Sequence, residues 1–184
     1  LRGGELHLLE KFVPNEFISA LVNKKISRVG VVPTMMRVIF SKPELVNEVG
    51  GKVNTGILRQ ILIGGESLGL SLAMAVRKQF SKSQLIDIYG STETASCDFF
   101  SFPETFSLFP GSIGSPSGGV SYRIVDAKNE LVQAGIEGEL QISSAYVMKG
   151  YLDDSELTTK AFSGKWFKTG DIAKEVGPKV LQLM

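Results

Sequence analysis

The sequence predicts an α/β chain, an open α/β layer followed by a mainly β part, and three observations lead there. Up to about residue 110, short apolar runs alternate with segments whose apolar residues recur at helical spacing. The strand-like runs stop at Pro or Gly, as strands do at the edge of a layer. From about Pro103 the composition shifts toward Gly, Ser and Pro, most densely in Gly111 to Gly119, and strand-like runs dominate beyond it. We therefore divide the chain into an α/β part, 1–110, and a mainly β part, 111–184.

Pro14 and Asn15 can start a helix with Phe17, Ile18, Leu21 and Val22 on one face and Lys24 and Lys25 at its negative end. Val29 to Val32 is a buried-strand candidate stopped by Pro33, followed by a helical stretch through Met35, Met36, Val38 and Ile39. Leu58 to Ile63 reads as the next strand and ends at Gly64-Gly65. Ser67 can cap a helix in which Leu72, Val76 and Phe80 share a face. Leu85 to Ile88 is a third strand, left through Tyr89-Gly90. Turns at such strand ends are where α/β sheets hold ligands. In the second part, Tyr122 to Val125 and Glu139 to Ser143 read as strands. Asp153 with Glu156 resembles a capping box for a helix ending near Phe162, and Trp166-Phe167 opens a strand running through Gly170-Asp171.

The chain has 184 residues, 43% hydrophobic and 21% charged, the profile of an ordinary globular protein. Its 20 Lys and Arg against 19 Asp and Glu leave +1, so net charge supplies no attraction to nucleic acid or anionic lipid. One cysteine, Cys97, and one histidine, His7, exclude an internal disulfide framework and a His-rich zinc site. No run approaches the ~20 apolar residues of a membrane span and no signal peptide is visible, so the default setting is cytoplasm or an organelle matrix.

Four segments can carry chemistry, and each has a plainer reading beside it. Ile63-Gly-Gly-Glu-Ser67 either lets backbone approach a flat ligand or is a tight turn and helix cap. Tyr89-Gly-Ser-Thr-Glu-Thr94 offers an aromatic face, hydroxyl donors and a carboxylate for Mg²⁺, a set that suits a nucleotide, or it is a polar turn capping a short helix. Gly111 to Gly119 can cradle a ligand but lacks dinucleotide-binding spacing, and alone reads as a linker. In Trp166-Phe-Lys-Thr-Gly-Asp171 the carboxylate can accept both hydroxyls of a ribose, or the segment is a surface turn.

In order and spacing, Leu62-Ile-Gly-Gly-Glu-Ser-Leu68, Asp87-Ile-Tyr-Gly-Ser-Thr-Glu-Thr94, Gly111-Ser-Ile-Gly-Ser-Pro116, Gly138-Glu-Leu140, Val147-Met-Lys-Gly-Tyr151 and Trp166 to Asp171 resemble the adenylate-forming superfamily. That superfamily includes acyl-CoA synthetases, aryl-CoA ligases, luciferases and peptide-synthetase adenylation domains. The resemblance implies part of the family's large domain, an α/β layered subdomain followed by a barrel-like β subdomain. It implies a two-step reaction in which a carboxylic acid and ATP form an acyl-adenylate and a thiol then displaces AMP.

Carried over to this sequence, Gly65, Glu66 and Ser67 would border the adenine and acyl pocket. Asp87, Tyr89, Gly90 and Ser91 would line the nucleotide site, with Tyr89 against adenine. Thr92 would contact the α-phosphate, Glu93 would hold Mg²⁺, and Asp171 would take the ribose hydroxyls. Thr92 and Glu93 are thus the catalytic candidates. The run Val147 to Asp154 and the later Trp166 to Asp171 look more like acyl- or aryl-CoA ligases, which makes CoA the expected acceptor. An amino-acid-activating domain and a non-catalytic nucleotide-binding module are the alternatives.

The family's phosphate-holding loop and lysine would precede Leu1. Lys174-Glu-Val-Gly-Pro-Lys-Val180 does not reproduce the family's Gly-Arg hinge, and Lys179 is not assigned the role of its catalytic lysine. The expectation is the central part of a longer enzyme, with little turnover by itself.

Overall fold

The computed structural model describes residues 3–53, 56–95 and 97–184. Helix α1 (Pro14–Asn23) opens with proline at its first position, where the missing N–H costs nothing, and buries Phe17, Ile18 and Leu21. Strand β1 (Arg28–Val31) leads into α2 (Pro33–Phe40), again opened by proline. A short helix not anticipated from the sequence, α3 (Pro43–Glu48), follows and widens into a π-turn at Val49–Val53.

Strand β2 (Gln60–Gly64) begins two residues later than the apolar run suggests, and Leu58 instead packs in the core before it. Helix α4 (Leu70–Gln79) and strand β3 (Gln84–Tyr89) complete the parallel unit. The expected Ser67 cap is not made. The N-cap is Gly69 with φ of +68°, because the Ser67 carbonyl is occupied by the Arg37 guanidinium at 3.1 Å and the chain must turn again before the helix.

After β3 the sheet turns antiparallel. Strand β4 (Phe99–Ser101), helix α5 (Pro103–Leu108) and strand β5 (Ser115–Pro116) occupy a stretch whose composition reads as loop. The first sheet has the order β1-β2-β3-β4-β5. In its parallel part Val31 pairs Ile63 and Ile63 pairs Asp87, so the three strands end side by side. Its core lies between the sheet and the helices, with Ile61, Ile63, Met36, Ile39, Val76 and Phe80 all at most 1% exposed.

The second sheet contains β6 (Ser121–Val125), β7 (Gly138–Ser143), β9 (Trp166–Gly177) and β10 (Val180–Leu183) in the order β10-β9-β7-β6, with β8 (Phe162–Ser163) paired to β9. Helix α6 (Ser155–Ala161) precedes β8. Its cap is Asp154, which accepts the Leu157 N–H at 2.8 Å. Asp153, the expected cap, instead sits at φ +54° in the turn before it.

Gly111 to Gly119 is not a free linker. Ile113 and Leu181 exchange backbone hydrogen bonds with each other's strands, Ile113 N–H to Leu181 O at 2.9 Å and Leu181 N–H to Gly114 O at 3.0 Å. Gly114 has φ of +84°, and a Cβ there would lie 1.8 Å from the Phe100 carbonyl oxygen, so only glycine lets the two sheets meet this closely. Phe99 of the first sheet is buried in the second core with Leu140, Ile142 and Leu181. It packs edge-on against Tyr89 on one side and Tyr122 on the other, ring centroids 5.9 and 5.5 Å away. The sheets thus share an aromatic seam directly beneath Tyr89.

Candidate active site

The C-terminal ends of β1, β2 and β3 form one rim. At the end of β2, a Cβ on Gly64 would come within 2.4 Å of the Ile88 carbonyl oxygen, so strands β2 and β3 stay parallel and close up to their last residues only with glycine there. Gly65, at φ +91°, turns the chain out past Val32. Glu66 then reaches back to the start of α2, accepting the Thr34 N–H at 2.8 Å and an Arg37 N–H at 2.7 Å. A carboxylate at a helix N-terminus is favoured by the exposed N–H groups and the helix dipole. Hydrogen bonds from Thr34, then Arg37, pull the Glu66 carboxyl down to about 2. Its carboxylate therefore fastens the Gly64 to Ser67 turn to α2, while Ser67 is exposed at the rim.

At the end of β3, Tyr89 and Gly90 lead into Ser91 and a 3₁₀ turn at Thr92–Thr94. Ser91 and Thr94 cap this turn reciprocally. The plainer reading of this segment, a capped polar turn, is thus also part of its structure. Thr94 further donates to the buried Asp98, whose N–H donates to Tyr89 O at 2.9 Å and whose carbonyl accepts the Ser117 N–H at 2.7 Å. That network leaves Thr92 exposed and Glu93 half-buried beside it. The Glu93 backbone N–H and the Ser91 hydroxyl hold the Glu93 carboxyl below its ordinary value. Asp87 lies two residues before Tyr89, and burial pushes it up to about 6 against one opposing bond from the Ile88 N–H.

Asp171 arrives from the other sheet through an irregularity in β9. Glu139 pairs Ile172 and Gln141 pairs Lys168, so the single residue Leu140 faces the three residues Thr169, Gly170 and Asp171. The extra residues bulge outward, Gly170 taking φ of +78°. Thr169 fixes the bulge, its hydroxyl donating to Leu140 O at 2.7 Å and accepting the Asp171 N–H at 3.1 Å. The carboxylate of Asp171 is thereby delivered to Tyr89, whose hydroxyl donates to it at 2.6 Å across 82 residues of sequence. Burial, and then this bond, raise the Tyr89 phenol above its ordinary value, so it stays a donor.

Tyr89, Gly90, Ser91, Thr92, Glu93 and Asp171 thus form one constellation, with Gly65 to Ser67 on the neighbouring strand end. Residues that sequence reasoning did not single out also belong to it. Thr169 sets the bulge, Thr34 and Arg37 hold Glu66, and the Tyr151 hydroxyl donates to Glu93 Oε1 at 3.1 Å. Tyr151 lies in the run Val147 to Tyr151, whose resemblance was visible but whose role was not. Among the described residues no group of three or more His, Cys, Asp and Glu side chains could hold a metal ion. Glu93 as a lone carboxylate does suit Mg²⁺, which keeps several waters and takes one or two carboxylates together with substrate phosphates.

A cavity of about 1540 Å³ lies at the opposite ends of these strands against Arg28, Gln60 and Gln84, and none of the candidate residues lines it. The polar groups converge instead on the rim, which makes it the candidate site.

A family model described as AMP-binding enzyme matches residues 1–152. The chain belongs to the AMP-binding enzyme family. It is 28% identical over 185 residues to tyrocidine synthase 3 of Brevibacillus parabrevis, covering 95% of this chain and 3% of that protein. It is also 28% identical to 2-succinylbenzoate–CoA ligase of Staphylococcus aureus, covering 95% of this chain and 32% of the ligase. The chain therefore spans a third or less of these curated relatives.

Among solved structures, the amide bond synthetase McbA from Marinactinospora thermotolerans superimposes with a TM-score of 0.85 at 25% identity, over 96% of this chain and 35% of that one. The N-terminal domain of FACL13 from Mycobacterium tuberculosis superimposes with a TM-score of 0.81 at 22% identity, over 96% and 42%. O-succinylbenzoate coenzyme A synthetase from Bacillus subtilis, solved in complex with ATP and magnesium ion, gives 0.80 at 23% identity, over 94% and 34%. The mixed α/β architecture is that of the N-terminal domain of adenylate-forming enzymes. Among the described residues no helix is long and apolar enough to cross a membrane.

Proposed function

We propose that this AMP-binding family chain carries the adenylate site of an acid–thiol ligase that forms an acyl-adenylate from ATP and a carboxylic acid and passes the acyl group to CoA. The observation that carries the reading is the bulge of β9, which sets an acidic acceptor against an aromatic ring at the end of β3. Tyr89 offers its ring to adenine while its hydroxyl orients Asp171. Asp171 keeps its second oxygen for the ribose hydroxyls. Asp87 lies two residues earlier on the same strand. The glycine backbone at Gly65 and Gly90 leaves room for a flat base, with Glu66, Ser67 and Ser91 at the border.

In the first step a substrate carboxylate oxygen bonds to the α-phosphorus as the bond to pyrophosphate breaks. Thr92, exposed beside the rim, donates to the α-phosphate, where negative charge builds. Glu93 would hold Mg²⁺, which when bound neutralises phosphate charge. In the second step the thiol sulfur attacks the acyl carbon and AMP leaves, with the thiol proton lost to solvent. The likeness to a CoA ligase over 95% of the chain supports CoA as acceptor. An equal identity to a tyrocidine synthase favours amino-acid activation as the second reading.

The test is thermal unfolding of the chain with a stable acyl-adenylate mimic, with Asp171→Ala in parallel. Ligand at about 100 times Kd should stabilise the wild type by about 2.7 kcal/mol and the variant by less than about half of that. Equal stabilisation of both would remove Asp171 from the site, and none in either would remove the proposal.

A further inference from the structure

Glu93 is gripped at both its backbone and its side chain by one segment from the far part of the chain. The Met148 N–H donates to the Glu93 carbonyl at 2.6 Å, and the Tyr151 hydroxyl donates to Glu93 Oε1 at 3.1 Å across 58 residues of sequence. Tyr151 is itself anchored. Its N–H donates to the Thr158 hydroxyl at 2.9 Å, and that hydroxyl donates to the Asp154 carbonyl at 2.7 Å. A Cβ on Gly150 would lie 2.7 Å from Thr158 Cγ2, so the segment can lie against α6 only with glycine before the tyrosine. A chain of contacts thus runs from α6 through Tyr151 to one oxygen of Glu93.

We propose that Tyr151 is a positioning residue for a divalent cation, occupying Oε1 of Glu93 so that the carboxylate presents its other oxygen in one fixed direction. The inference rests on the reading of Glu93 as the Mg²⁺ carboxylate. The Ser91 hydroxyl and the Glu93 N–H also hold this carboxylate, and Tyr151 adds the bond that ties it to the distant part of the chain, limiting the rotamers whose freezing on binding weakens affinity. Partners that orient a ligating carboxylate typically contribute 10–100-fold to metal affinity. The phenol supplies that order before any ligand arrives, and its bond goes to Glu93 while Tyr89 bonds Asp171, which separates it from the proposed nucleoside contacts.

Mn²⁺ is the probe, measured by water-proton relaxation in the presence of ATP, with AMP binding in EDTA measured separately. Tyr151→Phe should raise the Kd for Mn²⁺ about tenfold and that for AMP less than twofold. Glu93→Gln should abolish the ATP-dependent Mn²⁺ signal, and adding Tyr151→Phe to it should change nothing further. Thr158→Val, which releases the Tyr151 backbone but keeps the phenol, should give an intermediate loss and serves if Tyr151→Phe does not fold. Wild-type Mn²⁺ affinity in Tyr151→Phe with loss in Glu93→Gln would overturn the role of Tyr151 and keep that of Glu93. Equal losses of Mn²⁺ and AMP would also overturn it, as a merely structural effect. Retained Mn²⁺ in Glu93→Gln would overturn both.

Discussion

The parallel strands β1 to β3 and the antiparallel strand β9 bring residues to the same rim by different devices. The parallel strands end in register, so their last residues are neighbours because the strands stop together. Strand β9 runs on past the site, from Trp166 to Gly177, and contributes by being interrupted at Thr169 to Asp171. A strand end is held by the whole sheet beneath it, with Ile61 and Ile63 fully buried. A bulge is held by a few bonds, here one hydroxyl and one glycine. The binding role proposed for the second region should therefore be lost by small local changes that leave the first region folded.

The largest effect should come where the regions touch. Gly114→Ala puts a Cβ into the Phe100 carbonyl at a positive φ, and chemical denaturation should show a loss of at least about 3 kcal/mol. Leu140→Ala, which empties the second core beneath the bulge, should cost about 3 kcal/mol because Leu140 is fully buried. Asp171→Asn keeps the size of the side chain but removes its charge. It should raise the Kd for an acyl-adenylate mimic about tenfold while the unfolding midpoint hardly moves.

Next is a pH effect that belongs to the first region. Asp87 has an ordinary value of 3.8 and is raised to about 6 by burial, so the fold binds its proton more tightly than the unfolded chain does. Its stabilising contribution is full in acid below the unfolded value, declines between about 4 and 6, and is gone above. Asp87→Asn should flatten that decline, making the variant about 1–2 kcal/mol more stable than wild type at pH 7.5 once partial solvent screening is allowed for. Unfolding curves at pH 4.5 and 7.5 measure it. Smallest, Thr169→Val removes the hydroxyl that pins the bulge and should cost about 1 kcal/mol, yet weaken the same mimic severalfold. If stability fell and affinity did not, the bulge would not be what aims Asp171.

The first region was largely readable because its signals are local. Pro14 marks a helix start, and apolar runs that stop at Pro33, at Gly64-Gly65 and at Tyr89-Gly90 mark the strands. Where reading failed, a distant group had intervened, as when the Arg37 guanidinium took the Ser67 carbonyl and the helix began after Gly69 instead. Strand β4 and helix α5 escaped notice because Phe99–Ser101 is three residues long and too short for any periodicity. The Asp153 to Asp154 shift of a cap is a one-residue matter of backbone φ that neighbouring aspartates cannot reveal.

By itself the sequence determined the alternation of helices and strands, the family, and the short runs that carry chemistry, since each depends on residues close together in the chain. Only the tertiary structure decided that Tyr89 meets Asp171, that Glu66 is spent on α2, and that Tyr151 holds Glu93. Those contacts span 82, 32 and 58 residues. They depend on strand register and on one bulge, and no local preference encodes the distance between groups so far apart.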